Sequence, residues 1–246
     1  MDGFIHVVAA GAKEVMFRQA INAHNLANAP TVGFKADLAQ AESIFVKGAG
    51  QQTRAYNRVA GIGTDFSVGA IKQTGRDLDV AINGEGWFAI QTDDGSEGLT
   101  RRGDLRIDEL GQLLNGAGQQ LIGENGPIAL PPFNSLTIAT DGTISIVPLG
   151  EPPNSVAILD RIKLVNPDPE TLSKDETGLV VTEDRLPSLS DATLRITTGA
   201  LEASNVNPTE AMVRMIELAR QFEQFMNMVN VGEEVDTSST SLMRIQ

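Results

Sequence analysis

No cysteine occurs among the 246 residues, which removes disulfides, thiolate nucleophiles and sulfur-ligated metals together. Histidine is nearly as scarce. Only His6 and His24 are present, so a histidine-rich metal site is excluded and a histidine base has few candidates. Positive charge is in the minority, with 19 Lys and Arg against 32 Asp and Glu and a net charge of −13. Nucleic acid and anionic membranes both reward clustered Lys and Arg, so neither is an expected partner. Long apolar runs are missing as well. Residues 4–12 are too few to span a bilayer and are interrupted by His6. A cleavable leader is not indicated, because Asp2 stands where a basic start belongs. Taken alone, the chain reads as cytoplasmic.

What is present falls into zones. Residues 1–32 read as a helix and its stop: Ile5, Val8, Ala12, Val15 with Met16, and Leu26 form a weak stripe, on which Gln19 and Asn22 also fall. Asn22, Asn25 and Asn28 follow at spacings of three, and Pro30 and Gly33 end the element. Residues 33–76 have little periodicity and read as an extended arm with one hairpin, hinted at by Gly61, Gly63 and Gly69 among Val59, Ile62, Phe66 and Ile71. Residues 77–200 carry most of the turn signals: Asn83-Gly84, Asp94-Gly95, Asn115-Gly116, Asn125-Gly126 and Asp141-Gly142 between short alternating apolar segments. Eight or more short strands of this kind predict an antiparallel sandwich or open barrel. The expected class is therefore α+β, with terminal helices around a central antiparallel β-rich domain.

Residues 201–246 are the most informative. Asn207 suits an N-cap, Pro208 the first helical position and Glu210 the third. A helix is predicted from there to about residue 231. Met212, Met215, Ala219, Phe222, Met226 and Val229 recur at alternating spacings of four and three, a coiled-coil-like seam that Ile216, Leu218 and Phe225 widen. These positions cover about half the circumference, more than one partner helix requires. Burying them is worth roughly 13–27 kcal/mol, whereas ordering the helical backbone costs roughly 24–48 kcal/mol before its own hydrogen bonds offset part of that. The helix is marginal unless most of the face is covered. The half-polar N-terminal helix covers only part, so further copies are expected to supply the rest, with ends that order on assembly.

Catalytic and ligand-binding readings are weaker. Asp77 and Asp79 are spaced as paired carboxylates, but no oxyanion donors, nucleophile elbow or histidine accompany them. Asp93-Asp94-Gly95-Ser96-Glu97 has the flavour of a calcium loop without its distal glutamate, and reads as a hairpin tip. Gly84-Glu85-Gly86 is not followed by a helix, so a dinucleotide fingerprint fails. Trp87 suits a sugar platform or, more simply, the core; Arg101 and Arg102 suit an anion, local hydrogen bonds or an inter-subunit ion pair. His24 beside three asparagines reads as part of an inter-helix hydrogen-bond network. No cofactor, metal or catalytic residue is expected.

The ends of the chain resemble a known family. Asn25-Leu26-Ala27-Asn28 with Thr31, Gly33, Phe34 and Lys35 is similar to the amino-terminal signature of the flagellar rod and hook proteins. Leu201-Glu202-Ala203-Ser204-Asn205-Val206-Asn207, with Met215-Ile216 and Arg220-Gln221-Phe222-Glu223, is similar to their carboxy-terminal signature. Leu78-Asp79-Val80-Ala81-Ile82, Gly86-Trp87-Phe88, Thr100-Arg101 and Gly103 resemble the start of the central domain. Asp77-Leu78-Asp79-Val80-Ala81, Gly86-Trp87, Asp94-Gly95-Ser96-Glu97-Gly98 and Ile122-Gly123-Glu124-Asn125-Gly126-Pro127-Ile128-Ala129 are most similar to the proximal-rod branch, with the distal-rod branch a near alternative. His24 departs from the asparagine usual in that signature. The resemblance implies a non-catalytic rod subunit: terminal helices in an inner tube around an export channel, a β-rich outer domain, and export through the flagellar type III apparatus without a cleaved leader. That moves the expected location from cytoplasm to the basal body in the periplasmic space. Its partners would be copies of itself and other rod proteins. The assembly set is then Met212, Met215, Ile216, Ala219, Phe222, Phe225, Met226 and Val229, with Asn22, Asn25, Leu26 and Asn28 fixing helix packing and register. A cell-wall glycan-binding or glycan-cleaving module using Asp77, Asp79 and Trp87 is the rival from another class.

Overall fold

A computed structural model describes residues 2–45, 55–152, 154–175 and 178–243. It divides into two compact units. One comprises Met1–Asn28, Asp37–Asp65 and Val206–Gln246; the other comprises Ala29–Ala36 and Phe66–Asn205.

The first unit is built from two helices and a hairpin. Helix α1 spans Asp2–Ala27, and the amide of Asn28 still bonds to the His24 carbonyl at 3.1 Å before Pro30 ends the run. Helix α2 spans Pro208–Met243. Its start follows the sequence chemistry: the Asn207 side-chain oxygen accepts from the Thr209 amide at 3.0 Å and the Glu210 amide at 3.4 Å, satisfying donors that have no intrahelical acceptor. The helix does not stop near residue 231. Gly232 lies inside it, a tolerable cost of about 1 kcal/mol against alanine, and the polar residues beyond it remain helical. Fading hydrophobicity marked the end of an apolar stripe, not of the helix. Strands β1 (Asp37–Phe45) and β2 (Ala55–Thr64) pair antiparallel, with a bulge between Gln40 and Ala41. The segment read as one arm is thus split: the hairpin belongs with the helices, and the residues from Phe66 onward belong to the second unit.

The second unit is a set of antiparallel sheets. The largest has nine strands, in which the strand Trp87–Gln91 pairs with Glu97–Thr100, Gln120–Gly123 and Leu164–Val165. A three-stranded sheet runs Phe133–Ile138, Thr143–Pro148, Ala157–Arg161, and two short pairs join Val80–Ile82 to Ile196–Thr198 and Ile71–Gln73 to Ala200–Glu202. The core is continuous through Val80, Phe88, Leu105, Leu121, Ile144 and Ile196. The expected alternation around Val80 fails in one respect. Val80, Ala81 and Ile82 are all buried, and so is Asp79, because this strand is covered on both sides. Ala200–Glu202 is a strand, and the terminal helix begins at Pro208 as its cap chemistry predicts.

Turn chemistry is met as read at Gly84, Gly95, Gly126 and Gly142, all with positive φ. The fifth turn differs. In the loop opened by Asn115 the positive φ falls on Gly118, not Gly116, and the Asn115 side chain accepts from the amides of Ala117 and Gln119. A Cβ on Gly116 would sit 1.9 Å from an Asp104 carboxylate oxygen and push that side chain off its pair with Arg102.

Three surface turns also make a pH prediction. Ser96 and Thr92 donate to Asp94, the Thr143 amide and hydroxyl donate to Asp141, and Thr193 donates to Asp191. These bonds hold all three carboxyls below the usual carboxylate range. A depressed folded-state pKa stabilises above the unfolded value and is lost as pH falls through the folded one. The melting temperature of the subunit should therefore fall below about pH 4, and Asp94→Asn should make that decline shallower.

Candidate assembly site

The helices of the first unit run antiparallel. Asn22 of α1 donates to the Ala211 carbonyl of α2 at 2.7 Å, and Gly11 lies against Phe225, where a Cβ would come within 2.6 Å of the ring. Sheltered positions follow a spacing of four and three on both elements. On α1 these are Val8, Ala12, Val15 and Asn22, buried, with Gln19 and Leu26 half-buried. On α2 Ala211, Leu218 and Gly232 are buried, and Met215, Phe222, Phe225 and Val229 are half-buried between them.

The sequence-derived set therefore divides. Met215, Phe222, Phe225 and Val229 lie on the sheltered face with Ala219 half-buried beside it, whereas Met212, Ile216 and Met226 are exposed by 52%, 56% and 43%. Val213, Met228, Val231 and Val235 join them in the open. Half of the heptad read from sequence keeps its place, at Met215, Phe222 and Val229, and the other half moves by one residue, with Ala211, Leu218 and Phe225 on the sheltered face in place of Met212, Ala219 and Met226. Both helices are formed in the single chain, and what remains uncovered on α2 is its exposed apolar side chains.

The three asparagines do three different things. Asn22 bridges the helices. Asn25 is clamped to the hairpin: its side chain donates to the Asp37 carbonyl and accepts from the Asp37 amide, both at 2.8 Å. Asn28 donates back to the His24 carbonyl at 3.0 Å and so caps its own helix. His24 meets the Asp37 carboxylate at 2.8 Å. A polar cleft of about 410 Å³ lies among these groups, lined by Asn22, Asn25, Asp37, Arg18, Arg214 and Glu217.

Gly11 offers a local test of the helix pair. Gly11→Val should force the Phe225 ring from its seat, and overpacking of this kind costs typically 1–3 kcal/mol. Helical circular dichroism should melt earlier than the β signal in that variant.

In the second unit the family-like motifs converge on Glu202, which is only 1% exposed. One carboxylate oxygen accepts from Lys35 Nζ at 2.7 Å and from the Gly69 amide at 2.9 Å; the other accepts from Arg101 at 2.9 Å. Arg101 also donates to the Gly84 carbonyl at 2.7 Å, and burial lowers its pKa against the opposing pull of Glu202. Both cations lie near the Trp87 ring, Lys35 at 5.9 Å and Arg101 at 5.5 Å from its centre, with Phe66 edge-on at 5.6 Å. The indole is 5% exposed. Arg102 makes a two-pronged pair with Asp104 at 2.8 and 3.0 Å. Sequence reading missed Lys35 and Glu202 as a site. The available signal was a charged residue inside each terminal motif, of opposite sign.

The glycan-site candidates do not form an open site. Asp79 is 4% exposed and accepts from the Thr74 hydroxyl at 2.6 Å, and Trp87 is covered. The Asp93-Asp94 segment is a hairpin turn. Among the described residues no group of three acidic, histidine or cysteine side chains is placed to hold a metal, and no helix is long and apolar enough to cross a membrane.

Paired terminal helices that leave apolar side chains of α2 exposed, in a chain whose second unit is a set of antiparallel sheets, fit a structural assembly protein. The comparisons agree. The family model described as "Flagellar hook protein FlgE/F/G D1 domain" matches residues 81–146, and "Flagellar basal body rod FlgEFG protein C-terminal" matches residues 197–242. The flagellar basal-body rod protein FlgF of Salmonella typhimurium is 38% identical, covering 99% of both chains. The FlgF of Escherichia coli is 41% identical over 94% of both. A rod protein FlgG, from Buchnera aphidicola, is 30% identical over 86% of this chain and 88% of its own. The chain belongs to the flagellar basal-body rod protein family and is a structural subunit of that rod.

Proposed function

We propose that this subunit builds the proximal section of the rod, polymerising through its terminal helices as the inner layer around the export channel while the β unit forms the outer layer. The observation that carries this reading is the strip of Met212, Val213, Ile216, Met226, Met228 and Val231, all exposed on a helix whose opposite face is already sheltered. Exposed apolar side chains along the outer side of a helix, here interleaved with Glu217, Arg220, Glu223 and Gln224, are a surface that a partner can cover. The sheltered residues Met215, Phe222, Phe225 and Val229, with Asn22 and Leu26, hold each subunit's own helices together, while Asn25 ties α1 to the hairpin, Asn28 caps α1, and Ala219 lies at the border. A coiled-coil-like layer then arises when neighbouring copies cover the strip. Its partners are copies of itself and the rod proteins above and below, after passage through the flagellar export apparatus into the periplasmic space.

The absence of cysteine makes a direct test simple. Ile216→Cys and Val231→Cys variants, treated with a bifunctional maleimide, should cross-link between subunits in isolated basal bodies and stay monomeric in dilute solution. Cross-linking in neither state would overturn the reading. The proximal position is tested separately by immunogold labelling of basal bodies, where label should fall on the rod end nearest the motor.

A further inference from the structure

The chain passes between its two units after residues 28, 36, 65 and 205. Three of those crossings start or finish, within the second unit, at residues bonded to one another. The Ala36 amide donates to the Asn205 side chain at 2.8 Å, and the Asn205 amide nitrogen donates to the Ser67 hydroxyl at 3.2 Å. Lys35 Nζ donates to the Ser67 carbonyl at 2.7 Å, and the Asn205 backbone amide to the Phe34 carbonyl at 3.3 Å. Glu202 sits beneath all three segments. It takes Lys35 from the first and the Gly69 amide from the second, while its own backbone carbonyl accepts from Gly33 at 2.8 Å. Arg101, from the β body, holds the second carboxylate oxygen. The approach is close: a Cβ on Gly69 would lie 2.0 Å from the Ala203 carbonyl oxygen.

We infer that Glu202 is a positioning residue: its buried carboxylate gathers the segments at residues 33–36, 66–69 and 200–205 into one splice, from which the chain departs for the assembling helices. This rests on the rod reading only for its consequence in assembly. The physical argument is independent of it. Two buried cations from separate segments meet this one carboxylate, so geometry there fixes both segments at once, and removing its charge takes a charge-assisted hydrogen bond from each. Both oxygens of the Glu202 carboxylate are paired, although Arg101 Nε is buried without a hydrogen-bond partner, and a paired buried carboxylate favours the one arrangement of backbone that brings its donors together.

The test is amide hydrogen exchange on the purified full chain, comparing native protein with Glu202→Gln, which keeps the shape and removes the charge. Amides of Gly33, Gly69, Ala203 and Asn205 should exchange at least tenfold faster, while Ala89, Leu105 and Ile128 in the β core stay within twofold. Uniform acceleration at every amide would reduce Glu202 to a general stabilising group and overturn the proposal, as would no change at the four splice amides. Should Glu202→Gln fail to fold, Lys35→Met retains the Arg101 pair and should give the same pattern more weakly. A flagellar arm follows in cells lacking the native gene. Glu202→Gln should enter rods less than Leu121→Ala, a core variant brought to equal melting temperature. Equal incorporation of the two would overturn the positioning role. Failure of the native chain itself to enter rods would sink the rod reading and leave the exchange result standing.

Discussion

Ile216→Asp should leave the subunit folded and abolish rod assembly. The side chain is 56% exposed, so introducing a carboxylate there costs the free subunit no more than about 0.5 kcal/mol, the usual bound for surface substitutions. At a subunit interface the same carboxylate must be desolvated without a partner, which costs several kcal/mol per contact. Each 1.4 kcal/mol is a factor of ten in affinity, and a helical assembly repeats the penalty at every copy. Phe222→Asp makes a contrast. Phe222 is half-buried on the sheltered face, so that variant should lose helix content in the monomer as well as assembly. Melting temperature, electron microscopy of basal bodies and swimming in soft agar separate the two. Normal swimming by Ile216→Asp would show that the strip is not an interface.

The heptad spacing and the N-cap of α2 were legible because both are local: they depend on residues within a few positions of one another. Choosing the face that docks on α1 required knowing that Gly11 admits Phe225 and that Asn22 reaches Ala211. Those contacts span some two hundred residues and leave no periodic trace, and Ala211 is too small to stand out beside Met212. The turns at Gly84, Gly95, Gly126 and Gly142 were read correctly for the same local reason. At Asn115 a second glycine two residues on competed for the positive-φ position, and hydrogen bonds from Ala117 and Gln119 to the Asn115 side chain decided it.

Lys35, Arg101 and Glu202 were hidden differently. Charged side chains are ordinarily solvated, and only closure of the β body shows that these three are not. Asp79 misled in the same way, since its spacing from Asp77 suggested a pair of accessible carboxylates while the structure buries it beside Thr74. The family-like motifs did carry the information, but as resemblance. Their physical content emerges once Gly33-Phe34-Lys35, Thr100-Arg101 and Leu201-Glu202 are seen to meet at one carboxylate.

Glu202→Ala should be among the most damaging single changes in this chain. Lys35 and Arg101 are each 2% exposed at the side chain, so deleting the shared carboxylate takes a buried ionic partner from both. Breaking a buried pair by removing one partner costs about 3–5 kcal/mol. For a chain of this size that corresponds to a fall in melting temperature on the order of 10 °C. Salt gives the diagnostic. Buried charges are poorly screened, whereas exposed ones lose most of their interaction within a Debye length, so the deficit in Glu202→Ala should persist in ~1 M sodium chloride. Glu210→Gln supplies the comparison: its pair with Arg214, at 3.0 Å, has side chains 56% and 65% exposed, and exposed pairs contribute no more than about 1 kcal/mol. That variant should melt within about 3 °C of native at low salt, and the difference should vanish at high salt. A large deficit in Glu202→Ala that salt erases would mean the carboxylate is solvated, and the clasp would not be the anchor of the three segments it joins.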